Sequence, residues 1–437
     1  MRYLLIAALL LTACAGPEEE EPGQSAQCAY QPCFRGGEVR GEKNFAFLIN
    51  NFREGKPEPT PWAGYWFPYT SNGIAGGRGG ASPAGKYDAV RGKKTNAQGW
   101  EVGNHGSGVR GVQGWWGHCN GWCAAAALFP EPSVPSKVNG VTFDVADIKA
   151  LLSEAGMEAG SDFFGTRVEF GVGTASPIYQ DVVPGQVFLI LMNYVGRLKH
   201  PVLIDRYTLD QVWNQPLVGY RFEAPKPSDY LGADPSAPGV YRMNVTFTIW
   251  WAEDGVPADV QTPPFTFDDR VTGTFPDGRD TGIRVFTPRT LKAELWLDGP
   301  VEFDSSGKLV KSGNVVVTRQ EGTEYFVGGA WRMGEGFYSS EGWPDYMWVP
   351  YSILKPTDYG NPHVHIDWLK KHIVPAGGVD DPSTPPAPIE PPPSPRPTSS
   401  ASPIPWPFPT PGPTMTPTPT PTFPPMPGPS VRPISDR

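Results

Sequence analysis

Residues 112–130 read VQGWWGHCNGWCAAAALFP. The stretch changes character half-way. Up to Gly117 it is mostly glycine and tryptophan, which suits an irregular segment with a large apolar wall. From Asn120 to Leu128 it is rich in alanine, the strongest helix former, and Pro130 cannot continue a helix. The spacing therefore predicts a helix over about 120–128, with Cys119 where it starts. Free N–H groups and the dipole at a helix start favour negative charge, so a cysteine there is placed to act as a thiolate. Gly114, Gly117 and Gly121 allow close approach of backbone to a bound group. Trp115, Trp116 and Trp122 are placed to wall a groove. Cys123, one helical turn on, reads as a core residue, the ordinary fate of a free cysteine.

Outward from this stretch, DVADIKALLSEA (144–155) predicts a second helix, with Asp144 as its cap and Gly156 at its end. GQVFLILMNYVG (185–196) is a continuous apolar run that suits a buried helix or a buried strand; a helix is expected. Residues 60–112 are glycine-rich and read as loop. Beyond residue 200 the segments HPVLIDRYT, LVGYRFEA, VYRMNVTFTIWWAED, LKAELWLDG, NVVVTRQ and EYFVGGAWRM alternate β-branched and aromatic residues with polar ones, the pattern of strands. Helices first and strands later predict an α+β fold, not a wound βαβ sheet.

The two ends differ from this middle. The chain opens MRYLLIAALLLTACAG, a positive residue followed by an apolar run too short to span a bilayer and suited to a secretory signal. The sequence L-T-A-C resembles the bacterial lipobox, which implies acylation of Cys14 and a lipid anchor. Ala15, where an aspartate is absent, points to the outer membrane, with the protein facing the periplasm or the surface. Residues 15–44 then form an acidic tether in which Cys28 and Cys33 are candidates for a small disulfide loop. From residue 376 to 437 the chain is rich in proline, threonine and serine and is expected to form an extended arm without a core. The organisation is thus a signal over 1–14, a tether over 15–44, one catalytic domain over 45–375 and a tail over 376–437. The net charge is −9, and no basic cluster, P-loop or dinucleotide fingerprint is present, so a nucleic-acid partner is not expected. A monomer is expected, with the membrane met only through the anchor.

A thiol nucleophile needs a base, and the base an orienting group. There are six histidines. His363 and His365, in NPHVHIDW, are expected to share one face of a strand without a third metal ligand. His118, which adjoins Cys119, remains an alternative base with His363 and His365, and His105 lies in the glycine-rich stretch. His200 opens the predicted strand HPVLID, with Asn214 after the following turn. Asp205 is the alternative orienting residue.

The order Q-G-x-x-G-x-C, here Gln113, Gly114, Gly117 and Cys119, resembles the papain-like cysteine peptidases. That resemblance implies that the Gln113 amide helps hold an oxyanion, that His200 is the base and that Asn214 orients it. Asn120 departs from it, since a tryptophan follows the nucleophile in that family. Residues 212–224, VWNQPLVGYRFEA, resemble the peptide signature of the transglutaminase elicitor family, and WWGHCNGW, DIKALL and EYFVGGAW support the likeness. This implies a papain-like (transglutaminase-like) core with helices preceding a twisted antiparallel sheet. It also implies protein-glutamine γ-glutamyltransferase activity on protein substrates with accessible glutamine and lysine, and roles in substrate binding for Trp213 and Pro216. No cofactor is required by the residues; calcium (Ca2+) is implied by the resemblance alone, since no EF-hand pattern occurs. A cysteine endopeptidase would use the same residues, and a non-enzymatic envelope lipoprotein is a further alternative.

Overall fold

Alternating apolar residues along Tyr241–Ala252 bury Met243, Val245, Phe247 and Ile249 on one face, and this strand is the spine of the molecule. The computed structural model describes residues 39–374, apart from 78–80, 166–181, 207–210, 236–238, 269, 317, 320–325, 328, 333–342 and 357–358. Cys14, Cys28, Cys33, most of the tether and the 376–437 tail lie outside the described residues.

Nine strands form one antiparallel sheet. In chain order they are β1 (Glu54–Gly55), β2 (Ala159–Gly165), β3 (Leu203–Asp205), β4 (Asn214–Phe222), β5 (Tyr230–Ala233), β6 (Tyr241–Ala252), β7 (Phe286–Leu297), β8 (Ala330–Arg332) and β9 (Tyr346–Ile353). The lateral order is β8-β7-β6-β4-β3-β9-β2, with β1 added on β4 and β5 on β6. β6 and β7 pair along their whole length, from Phe286 opposite Ala252 to Leu297 opposite Tyr241. β4 is buried at every position except Arg221, as expected of a strand covered on both faces. Its first residues pair with β3 and its later ones with β1, while β6 runs along its other edge.

The helices are α1 (Phe45–Phe52), α2 (Pro83–Arg91), α3 (Ala97–Asn104), α4 (Cys119–Leu128), α5 (Val145–Ala155), α6 (Pro184–Ile190) and α7 (Ile366–His372). The alanine run becomes α4, whose ten residues are all buried between α5 and the β4–β9 part of the sheet. Alanine and glycine make that position available by letting helices meet at backbone distance. A Cβ on Gly121 would lie 2.0 Å from the Ser153 carbonyl oxygen, and one on Gly156 2.2 Å from that of Gly121. α5 starts as expected: Asp144 accepts from the Asp147 N–H, and the Asp147 carboxylate accepts from the Asp144 N–H. The apolar run at 185–196 is helical, α6 continuing as a π-helical segment over Leu191–Arg197.

Three expectations need correction. Residues 60–112 are not all loop, since they contain α2 and α3. Ser82 caps α2, whose first residue is Pro83, and the Asp88 carboxylate accepts from the Ala97 and Gln98 N–H groups at the start of α3. Tertiary contacts there outweigh the helix-weakening glycines. His363 and His365 share no strand: His363 lies in a turn, its N–H donating to Asn361 Oδ1, and His365 is the N-cap of α7. The strand expected from His200 starts only at Leu203, so His200 stands before it. The fold is a mixture of helices and an antiparallel sheet, as the order of the elements predicts. Among the described residues, no helix is long and apolar enough to cross a membrane.

Candidate active site

Helix α4 begins at Cys119, and His118 before it supplies no capping side-chain bond. The helix start opens on a cavity of about 270 Å³. Trp115, Trp116 and Tyr69 line it beside Gly117, Cys119 and Asn120, and Val212, Asn214, His105 and Tyr359 complete the lining. Cys119 Sγ lies 3.8 Å from the Val212 carbonyl oxygen. Burial pushes this thiol up to about 12, and the charges of Asp254 and Asp205 push the same way. The backbone N–H groups of Asn214 and Asn120 act in the opposite sense, favouring the thiolate. Cys119 is therefore a neutral thiol in this structure.

The expected partners divide into two groups. Asn214 and Asp205 face each other across β3 and β4 at the Cys119 end of those strands. Asp205 Oδ1 accepts from the Trp213 N–H at 2.9 Å. Asn214 Oδ1 accepts from Trp348 Nε1 at 2.9 Å and from the Tyr346 hydroxyl at 3.3 Å, so its carbonyl is held by β9. Trp115 and Trp116 wall the cavity as expected. His200 and Gln113 do not line it. His200 Nε2 donates to the Pro350 carbonyl at 2.7 Å, and burial holds that imidazole below its usual pKa. Gln113 Nε2 donates to the Gly111 carbonyl at 2.9 Å. Trp122 is wholly buried in the core, and Cys123 is buried beside it. Trp213 is half-buried against Trp66, ring centroids 5.8 Å apart. Pro216 lies within the sheet opposite Leu203.

The sequence reading missed a buried quartet at the back of the cavity, which His105 lines: Glu101 of α3, His105 after it, His118 and Glu154 of α5. His118 Nε2 is 2.5 Å from Glu154 Oε2 and 3.0 Å from Glu101 Oε1. His105 Nδ1 is 3.4 Å from Glu101 Oε2 and 3.7 Å from Glu154 Oε2, and its ring stacks on Tyr69. Burial opposes charge on His118, but the Coulomb pull of Glu101 and Glu154 outweighs it and holds the imidazole well above its usual range. Burial likewise disfavours the Glu154 carboxylate, and His118 overrides it, holding the carboxyl below the usual range. The i,i+4 spacing of Glu101 and His105 is the signal that a recognised α3 would have exposed.

Residues 101–233 hold Cys119, the quartet, Asp205 and Asn214, and they match the family model described as transglutaminase elicitor. Over these residues the chain is similar to the transglutaminase elicitor family. No curated protein matches the chain. Among solved structures, it is similar to the crystal structure of the GP42 transglutaminase from Phytophthora sojae, at 18% identity and a TM-score of 0.43. The likeness covers 74% of this chain and 90% of that one. The elicitor-family region thus begins on α3 and ends in β5, and it spans every cavity-lining residue except Tyr69 and Tyr359.

Proposed function

We propose that the chain is a protein-glutamine γ-glutamyltransferase with Cys119 as its nucleophile. The observation that carries this is a thiol at the start of a buried helix, on the wall of a tryptophan-lined cavity, within the elicitor-family region. A papain-like core, with the nucleophile heading a helix packed on an antiparallel sheet, is part of this reading.

The Cys119 sulfur adds to the γ-carbonyl of a protein glutamine, the C–N bond breaks, and the thiol proton leaves on ammonia. The thioester is then attacked by a lysine amine, which forms an isopeptide bond and returns the thiol. N–H groups of the uncapped first turn of α4 are suited to hold the oxyanion, where one such donor supplies about 3–4 kcal/mol of transition-state stabilisation. Asp254, whose carboxyl burial pushes up to about 6, acts electrostatically on the thiol. Trp115 and Trp116 keep water from the thioester, which would otherwise hydrolyse to glutamate. An acylated Cys14 would place this chemistry at the cell envelope.

The calcium implied by kinship does not find a fitting site. Asp268 and Asp277 are paired with Arg270 and Arg279 at the surface. Among the described residues, the one cluster able to share an ion contains two imidazoles, whereas calcium takes oxygen ligands. No step is assigned to calcium.

The test is incorporation of a labelled primary amine into a glutamine-rich protein by the wild type and by Cys119→Ala. Labelling that disappears in the variant supports the reading. Clipped protein without amine uptake would make the chain a thiol peptidase, and labelling retained by Cys119→Ala would remove Cys119 from the chemistry.

A further inference from the structure

The Glu101–His105–His118–Glu154 quartet poses a charge problem that the acyl-transfer reading does not use. Its four ligand atoms all lie within 4.8 Å of one another. Both glutamates are 0% exposed and His118 is 0%, while His105 is 7% exposed. Among the described residues, the ion-pair partners of these carboxylates are the two imidazoles alone.

The tautomer of His118 sharpens the problem. Its Nδ1 lies 3.0 Å from the Phe67 carbonyl oxygen, which can only accept, so Nδ1 carries a proton and donates there. In the neutral ring, Nε2 is then a bare lone pair aimed at two carboxylate oxygens. A cation must lie between them. A proton on Nε2 serves one close contact, and it leaves His105 Nδ1, buried and aimed into the cluster, without a hydrogen bond of acceptable geometry. One divalent metal ion serves all four groups at once.

The surroundings are those of a held ligand set. Metal-binding histidines donate their second N–H to a backbone carbonyl, and ligating carboxylates are themselves hydrogen-bonded. Phe67 does the first. The Ile74 N–H donates to Glu101 Oε1 at 3.2 Å, and the Asn361 N–H to Glu154 Oε1 at 2.6 Å. Gly73 leaves the room required: a Cβ there would lie 2.2 Å from Glu101 Oε1 and 2.7 Å from His118 Cε1. Around a tetrahedral zinc, with bonds of about 2.0–2.2 Å, ligand atoms stand about 3.3 Å apart. The contacts to the imidazoles, 2.5 and 3.0 Å at His118 and 3.4 and 3.7 Å at His105, lie on either side of that spacing, with Glu101 offering Oε1 to His118 and Oε2 to His105. Two nitrogens and two carboxylate oxygens suit zinc and its transition-metal neighbours, not calcium or magnesium.

We propose that Glu101, His105, His118 and Glu154 bind one zinc-class divalent ion as a closed structural site. The ion ties α3, the tryptophan loop, the start of α4 and α5 together directly behind Cys119.

The full chain is stripped of metal by chelator dialysis and titrated separately with Zn2+, Co2+ and Ca2+. Bound metal, the visible d–d spectrum of cobalt and the Tm are read. The expected result is one equivalent of zinc or cobalt per chain, the strong bands of four-coordinate cobalt, a Tm raised by zinc and no response to calcium. Removing His118 risks the fold, so His105→Gln, at the cavity edge, is the second arm; its zinc affinity should fall at least tenfold while its circular dichroism stays native. Absence of stoichiometric zinc or cobalt, or wild-type affinity in His105→Gln, would overturn the proposal and leave a proton-held ion-pair network. None of these readouts depends on amine incorporation, so failure of the transferase reading would be seen separately.

Discussion

Gly121→Ala is the substitution whose effect the structure fixes most tightly. The new Cβ would lie 2.0 Å from the Ser153 carbonyl oxygen and 3.0 Å from the Met157 nitrogen, both backbone atoms of the facing segment. Ordinary contact begins at 3.4 Å, so relief requires a separation of about 1.4 Å (3.4 minus 2.0) between α4 and α5. No flexible side chain can give way, and α4 is buried over its whole length. Overpacking costs about 1–3 kcal/mol; an overlap of this size with backbone belongs at the upper end, about 3 kcal/mol, and subtracting a helix-propensity gain of at most about 1 kcal/mol leaves an expected net loss of about 2 kcal/mol. The same shift carries Cys119, two residues away. A displacement of about 1 Å at a reacting group costs about 10²-fold in rate. Urea unfolding of the full chain reads the first quantity, and amine incorporation by the folded variant reads the second. Gly114→Ala is the control, because its Cβ meets nothing within 4 Å and should change stability by less than about 0.5 kcal/mol. Wild-type stability in Gly121→Ala would refute the backbone contact between the helices.

Asp254→Asn should raise stability at neutral pH. Burial lifts this carboxyl from 3.8 to about 6. The folded state therefore binds the proton more tightly than the unfolded state. The penalty for ionising it is absent below pH 3.8, grows as pH rises and is complete above pH 6, at about 3 kcal/mol. The variant should match wild type near pH 4 and exceed it by up to that amount at pH 7 in a Tm–pH series; lower stability at pH 7 would show that burial is not what lifts the carboxyl. Asp144→Ala removes the bond that its carboxylate accepts from the Asp147 N–H and should cost about 0.5–2 kcal/mol in chemical denaturation. Cys119→Ala should abolish amine incorporation with an unchanged circular dichroism spectrum.

The parts of this fold that were legible are those where one local rule dominates. The alanine run with Pro130 behind it, and Asp144 before an apolar period, place α4 and α5 within a residue. Alternation marks β6 and β7. The stretch at 60–112 failed because its glycines mask two short helices held by tertiary contacts and by capping from Ser82 and Asp88. With α3 unseen, Glu101 and His105 could not be recognised as one helix face. His118 adjoins Cys119, and because successive residues at a helix start point in different directions its ring turns away from the thiol toward Glu101 and Glu154. His200 illustrates the opposite error. A histidine before a strand suggests a base, but β3 starts three residues later and His200 is hydrogen-bonded to Pro350 instead of lining the thiol cavity.

The position of β4 bears on how outside molecules meet this protein. Residues 214–220 are buried, and the strand is hydrogen-bonded along both edges. An antibody or cell-surface receptor that reads residues 212–224 as an extended peptide would find no free edge on the native chain. Such a reagent would respond to the unfolded or proteolysed protein and stay silent on the intact one, so its signal would measure turnover of the protein, not its abundance.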